Sequence, residues 1–412
     1  MVWVSHHRTK SALKIVLVSV VVVFAAAVGL GALVVHDAAA SYQQRAVVLE
    51  QPTFAPQPMP SASGSPTPVS TALPGSIDVL LVGTDICEAS YAKELGGRCT
   101  GPGASFTSAN NDVNVLLHIS DNPRRVTVIS FPRDLIIPTP SCRRPDGSTA
   151  PATAASMLNA TYSSGGLSCV AKTISTLTGI DIPYAASLTF GGVIAITDAI
   201  GGVTVCVANG IDDPYTHLHL SPGMHTVKGL TALQFLRTRH GLLAGSDLAR
   251  ISNQQQYMTR LVHKLVDGGV LSNPVELARL AGVALQNVTP STSLTDPATL
   301  VRIALAAKSV PFDQFVMVQY PTVDDPQNHN RVLPNTDAAN VLMAALAQNL
   351  QVKISRTDSP GYGVVPAPVP SASPSPSGGA SATPSPGSVV ELPGSIAGTT
   401  AADSTCSNGN GR

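Results

Sequence analysis

Charge is scarce in this chain. Only 12% of its 412 residues are Asp, Glu, Lys or Arg, and 25 basic residues are balanced by 25 acidic ones. A net charge of zero excludes a general polyanion-binding surface, so nucleic acid is not an expected partner and any anion must be bound locally. The six cysteines include no CxxC pair, which disfavours a zinc ribbon or a thioredoxin-like motif. The sequence has no GxxxxGKS/T loop, no GxSxG elbow and no HExxH. Nucleotide phosphotransfer on a P-loop, α/β-hydrolase chemistry and zincin chemistry all lose support. There is no internal repeat.

Against that background residues 237–256, RTRHGLLAGSDLARISNQQQ, stand out. Arg237, Arg239 and Arg250, one aspartate and a run of glutamines crowd into twenty positions. Guanidinium forks match phosphate oxygens and keep their charge at any working pH. The stretch reads as an anion site, with a pair of solvated or salt-bridged surface arginines as the plainer alternative.

One long apolar run is present. Residues 15–35 carry no charge, follow Arg8, Lys10 and Lys14, and are long enough to cross a bilayer as a helix. The basic flank puts the N-terminus in the cytoplasm and the bulk of the chain outside the membrane. The run is longer than a usual signal-peptide core, so it reads as an uncleaved anchor rather than a cleaved signal. Residues 36–75 then read as a Pro/Ser-rich linker and residues 353–412 as a disordered Pro/Ser/Gly-rich tail, too poor in large apolar residues to offset chain entropy. The segment between them, 76–352, can hold one substantial core. For an exported domain structural disulfides are the default. Cys87 and Cys99 close a short loop and make the first candidate pair, Cys142 with Cys169 the second; sequence alone does not fix the connectivity.

Within the domain, strands are expected near residues 77–82, 113–119, 125–131, 184–190, 203–207 and 315–320. Helices are expected near 169–178, 192–200, 230–236, 248–266, 274–285, 297–307 and 335–350, with Ser246 or Asp247 capping the one at 248. Alternating elements with one clear hairpin indicate a mixed α/β domain, a mostly antiparallel or mixed sheet covered by helices. The turn at 121–124 centres the hairpin between Asn122 and Pro123, so paired positions sum to about 245. Asp112 then lies opposite Arg133, and an antiparallel first strand brings Asp85 to the same sheet end, beside Asp134. Arg237-Thr238-Arg239 reads as extended, both arginines on one side. Arg250 and Gln254, four apart on a helix, share a face.

Asp85 and Asp112 could hold a divalent metal with water and substrate phosphate, the habit of magnesium, although spacing alone fits turn chemistry better. Arg133-Asp134 is either a structural pair or an arginine oriented toward an anion. His217, His219, His225 and His240 lack partners at convincing zinc spacing and read as surface or structural residues.

Several segments together resemble the LytR-CpsA-Psr family of cell-envelope proteins, in its actinobacterial form. They are DVLLVGTD at 78–85, NNDVNVLLHI at 110–119, VTVISFPRD at 126–134, LNATYSSGG at 158–166, LTGIDI at 177–182, DAIGGVTV at 198–205 and FLRTRHGLLAGSDLARISNQQQ at 235–256. The resemblance implies an extracytoplasmic phosphotransferase that takes a glycopolymer from a polyprenyl-pyrophosphate carrier and joins it to peptidoglycan, releasing polyprenyl phosphate. It implies magnesium at Asp85 and Asp112, and pyrophosphate contacts from Arg133, Arg237, Arg239, Arg250 and Gln254. Arg133, Asp134, Arg237 and Arg239 become the expected catalytic set, Asp134 more as the orienter of Arg133 than as a base. Hydrolysis of the same pyrophosphate bond and non-catalytic binding of polyprenyl phosphates are the rival activities. The chain departs from the family where Asn110-Asn111-Asp112 replaces Arg-Ser-Asp and where Met157 replaces a lysine; both changes remove positive charge and bear on substrate identity.

Overall fold

The computed structural model describes residues 39–52, 73–102, 104–106, 109–267, 274–308, 310–355, 362–367 and 389–411. In chain order the elements that place the site are strands β1 (Ile77–Thr84), β2 (Asn111–Ile119) and β3 (Val126–Phe131) and helix α1 (Thr161–Thr178). Then follow β4 (Tyr184–Leu188), α2 (Phe190–Ala199), β5 (Val203–Asn209), β6 (Gly223–Val227), α3 (Gly229–Arg237), α4 (Asp247–Val266) and α5 (Pro274–Asn287). The chain closes with β7 (Val288–Pro290), α6 (Pro297–Lys308), β8 (Phe315–Gln319), α7 (Thr336–Ala347), β9 (Val364–Pro366), β10 (Gly398–Thr400) and β11 (Thr405–Asn408).

The central sheet has seven strands in the order β7-β4-β1-β2-β3-β8-β10. It is mixed: β1 runs parallel to β4 and β3 parallel to β8, while the other pairs are antiparallel. The hairpin register agrees with the expectation, since Asn114 pairs with Phe131 and Ile119 with Val126, each pair summing to 245.

The β-branched and leucine runs of β1 to β3 are apolar on both faces because helices cover both. On one face Leu80, Leu116 and Ile129 meet Leu167 and Ile174 of α1 and Leu342 of α7, all six fully buried or nearly so. Each such side chain contributes roughly 1.5–3 kcal/mol by leaving water. On the other face Val79, Val115 and Met317 meet Ala306 of α6 and Met258 of α4. Gly179 ends α1 in the left-handed conformation at φ 71°, which suits a residue without Cβ. The helix also starts earlier than its apolar spacing suggests, because Gly165 and Gly166 take non-helical angles and join a first turn to the body.

A second sheet, in the order β6-β5-β11-β9, packs its own core of Val203, Val205 and Val207 against Phe235 of α3 and Tyr257 of α4. Two of its strands come from beyond residue 353, and β10 covers the edge of the central sheet. The expectation of disorder there is corrected over 362–367 and 389–411. Averaged composition hides a few well-spaced apolar residues: Leu392, Ile396, Ala401 and Cys406 are all buried. Residues 368–388 lie outside the described residues.

The linker reading needs a similar correction over 39–52. Tyr42 is buried, Arg45 donates to the carbonyl of Gln286 at 2.8 Å near the end of α5, Val47 bridges Ser291, and Glu50 pairs with Lys172 at 3.0 Å. No helix among the described residues is long and apolar enough to cross a membrane, and the expected span at 15–35 lies outside them.

Both candidate disulfides form, Cys87–Cys99 and Cys142–Cys169. A third, Cys206–Cys406, ties β5 to β11 across 200 residues of sequence.

Candidate functional site

The open end of the β2-β3 hairpin lies beside the α3-α4 connection and the start of α4. A cavity of about 220 Å³ sits there, lined by Asp112, Arg133, Asp213, Tyr215, Thr216, Arg237, Arg239, His240 and Arg250. Four of the arginines singled out from the sequence thus meet at one place, although they come from three separate segments.

Arg133 is the hub. Its Nη1 donates to Asp112 Oδ1 at 2.8 Å, and its Nε lies 3.7 Å from both Asp134 and Asp247. Burial works against its charge, but Asp112, Asp247 and Asp134 outweigh that and raise its pKa further. Arg250 is buried; its Nη2 donates to the Asp112 carbonyl at 2.8 Å and pairs with Asp247 at 2.7 Å. Among the described residues the Nε groups of Arg133 and Arg250 make no hydrogen bond, that of Arg133 lying within 3.7 Å of two carboxylates instead. Buried donors without a hydrogen bond are uncommon.

Arg237 is the last residue of α3, not part of an extended run, because Ala232 and Phe235 carry the helix into the second core. Its guanidinium stacks 4.4 Å over the Phe190 ring, a cation–π contact that fixes its direction. Thr238 turns the chain with ψ 134°, and Arg239 still reaches the same cavity. Among the described residues Arg239 makes no ion pair; its Nη2 contacts His240 Nε2 at 3.3 Å.

The loop holding these arginines is fastened by Asp213. Oδ2 accepts from Thr238 Oγ1 at 2.6 Å and from the N–H groups of Arg239 and Gly241, while Oδ1 accepts from those of Tyr215 and Thr216. Burial alone would raise this carboxyl, but those hydrogen bonds outweigh it and hold its pKa below the ordinary value. From the other side Asn410 donates to the His240 carbonyl at 2.9 Å and exchanges hydrogen bonds with the main chain of Asp212.

Not every expected residue reaches the cavity. Gln254 turns its amide to the Leu236 carbonyl at 2.8 Å, because α4 is buried around this turn and its faces point into protein. Asp134 faces Arg133 and Arg331, the latter at 3.3 Å, and its carboxyl is raised by burial and by Asp247. Asp85 stands at the same sheet end as Asp112, its Oδ1 accepting the Asn110 N–H at 2.7 Å, but does not line the cavity. Among the described residues no group of three or more His, Cys, Asp or Glu is placed to share an ion. Asp112 at the cavity, with Asp85 at the same sheet end, is the type of donor magnesium takes, since that ion uses one or two carboxylates and completes its shell with water and phosphate.

Sequence reasoning missed Asp213, Asp247, Tyr215, Thr216, Asn410 and Arg331, and set His240 aside as a surface histidine. Asp247 carried a signal as a first-turn acid. The others became neighbours only through the fold. Asn111, standing in the departed Arg-Ser-Asp position, is wholly buried and receives the Tyr162 N–H at 2.9 Å while donating to the Leu158 carbonyl at 3.0 Å. It latches β2 to the start of α1.

A mixed sheet with helices on both faces and a pocket lined by four arginines at one strand end defines the class, a mixed α/β domain. The chain belongs to the LytR_cpsA_psr family, whose model matches residues 44–350. It is 30% identical over 238 residues to the cell wall biosynthesis protein LcpA of Corynebacterium glutamicum, a match covering 53% of this chain and 45% of that one. The chain thus spans about half the length of that relative. The polyisoprenyl-teichoic acid–peptidoglycan teichoic acid transferase TagU of Enterococcus faecalis is 22% identical over 270 residues, covering 66% of this chain and 76% of that one. Among solved structures, a LytR-Csp2A-Psr enzyme from Actinomyces oris superposes with a TM-score of 0.50 at 23% identity, covering 73% of this chain and 94% of that one. The similarity supports the fold.

Proposed function

We propose that this protein is a membrane-anchored, extracytoplasmic phosphotransferase that moves a glycopolymer from a polyprenyl-pyrophosphate carrier onto peptidoglycan. The observation that carries the reading is the meeting of Arg133, Arg237, Arg239 and Arg250 at one cavity. A diphosphate carries the compact negative charge such a pocket accepts. The names of LcpA and TagU agree with work on the cell wall.

An apolar side chain open to solvent lies near the site, where the carrier's tail would begin. Leu81 lies in β1, which has a strand on each side, yet it is 44% exposed. It shares a sheet face with Val79 and lies a few residues from Asp85.

In the reaction a peptidoglycan sugar hydroxyl attacks the phosphorus that bears the glycan. A new P–O bond forms, and the bond to the bridging oxygen breaks. Its electron pair leaves on polyprenyl phosphate, and the hydroxyl proton passes to solvent. The arginines hold the diphosphate in line and neutralise charge that builds on its oxygens. Asp134 and Asp247 orient Arg133 and Arg250. Asp85 and Asp112 would hold magnesium, which supplies further neutralisation of phosphate charge when bound.

Transfer from a lipid-linked donor to peptidoglycan, followed by product analysis, tests the reading. The double variant Arg237→Ala, Arg239→Ala is expected to lose roughly a hundredfold or more in turnover while keeping its melting profile. Unchanged turnover overturns the assignment. Glycan phosphate released equally with and without peptidoglycan makes the protein a hydrolase instead. Chelation by EDTA, reversed by magnesium, is expected to suppress transfer.

A further inference from the structure

The rim of the arginine cavity carries a feature that anion binding does not use. Tyr215 is 74% exposed, although it lines the cavity with the arginines. Its ring packs on the His240 ring with centroids 4.4 Å apart and planes inclined at 39°. The two rings come from different loops, after β5 and after α3. Both loops are fixed from beneath: Asp213 binds the N–H groups of Tyr215 and Gly241, and Asn410 binds the carbonyls of Asp212 and His240. An arginine can only donate, so in the 3.3 Å contact between Arg239 Nη2 and His240 Nε2 the imidazole nitrogen is the acceptor. Beside the rings, Thr216 also lines the cavity, its Oγ1 buried and without a hydrogen bond among the described residues.

From this arrangement we infer that Tyr215 and His240 form a platform for a pyranose ring at the mouth of the phosphate pocket. An aromatic face held in water on a fixed main chain matches the C–H face of a sugar, and ordering it in advance lowers the entropy lost on binding. The adjacent guanidinium groups select a sugar that carries phosphate, and the pairing of ring and anion pocket gives the site the shape of a glycosyl phosphate. A core role for Tyr215 does not account for its exposure, and neither phosphate nor an apolar lipid tail has use for a tyrosine face stacked on an imidazole.

The inference rests on the diphosphate reading of the arginine cavity, and the test separates the two. Full-length protein in detergent is titrated with geranylgeranyl pyrophosphate, with the same lipid bearing one N-acetylglucosamine on its distal phosphate, and with a soluble disaccharide fragment of peptidoglycan. Tyr215→Ala is expected to weaken binding of the sugar-bearing lipid roughly three- to tenfold and to leave the bare diphosphate lipid unchanged. Tyr215→Phe, which keeps the ring, is expected to bind as the parent does. Weakening of the peptidoglycan fragment alone assigns the platform to the acceptor sugar; weakening of the lipid-linked sugar assigns it to the donor. Equal binding of every probe by parent and Tyr215→Ala overturns the platform. If Arg237→Ala, Arg239→Ala at the same time abolishes binding of both lipids, the diphosphate reading stands without it. If neither lipid binds the parent protein, that reading itself fails.

Discussion

At the level of single side chains, Asp213 sets the shape of the loop that carries Arg237 and Arg239. It is fully buried and binds five hydrogen atoms from Thr238, Arg239, Gly241, Tyr215 and Thr216. Asp213→Asn places an NH₂ group among N–H donors, which costs on the order of 1–3 kcal/mol. Turnover is expected to fall with the loss of loop order, as read by kinetics beside a thermal melt. The pH dependence has a definite sign. A carboxyl with a depressed folded-state pKa contributes stability above its unfolded value of about 3.9 and loses it as pH falls through the lower folded value. An acid titration of stability is expected to show that loss in the parent and not in Asp213→Asn. The arginines themselves were legible from the sequence because guanidinium density is local. Asp213 was not, because its five donors come from two segments separated by more than twenty residues.

At the level of elements, α4 is the spine between the two sheets. Residues 249–257 are buried without a break, and their polar side chains reach main-chain groups elsewhere: Asn253 binds the Phe235 carbonyl, Gln256 the Cys206 and Thr405 carbonyls. The helix begins at Ser246, whose hydroxyl accepts the Ala249 N–H at 3.1 Å. Ser246→Ala is expected to cost about 0.5–2 kcal/mol by equilibrium denaturation. Because Asp247 and Arg250 sit in the first turn, it should also loosen the contacts to Arg133. The cap and the extent of α4 were readable from the Ser-Asp start and the apolar spacing. Gln254 was expected at the pocket from the resemblance and from the helix face it shares with Arg250, but a shared face does not guarantee a shared exposure, and its amide turns to the Leu236 carbonyl. On a surface helix the two go together; around Gln254 every face of α4 meets protein. The hairpin register was readable because the turn fixes the sum of paired positions. Likewise β1 and β2 bring Asp85 and Asp112 to one end, as their antiparallel pairing requires.

At the level of the whole molecule, the last residues hold the two sheets in place. β11 lies between β5 and β9, β10 covers β8, and Cys406 is bonded to Cys206. No local pattern announces contacts across such a separation, which is why the tail read as disordered. Closing so long a loop constrains the unfolded chain strongly, so Cys206→Ala with Cys406→Ala is expected to cost about 2–5 kcal/mol. The loss should appear as a lower melting temperature than the parent's, both measured under oxidising conditions that keep the other two disulfides closed. Asn410 is a remote fastening of the same kind: one side chain, far along the chain from both loops, ties the loop of Tyr215 to that of His240. Asn410→Ala should therefore loosen the site more than it lowers the melting temperature, so that turnover and thermal stability part company.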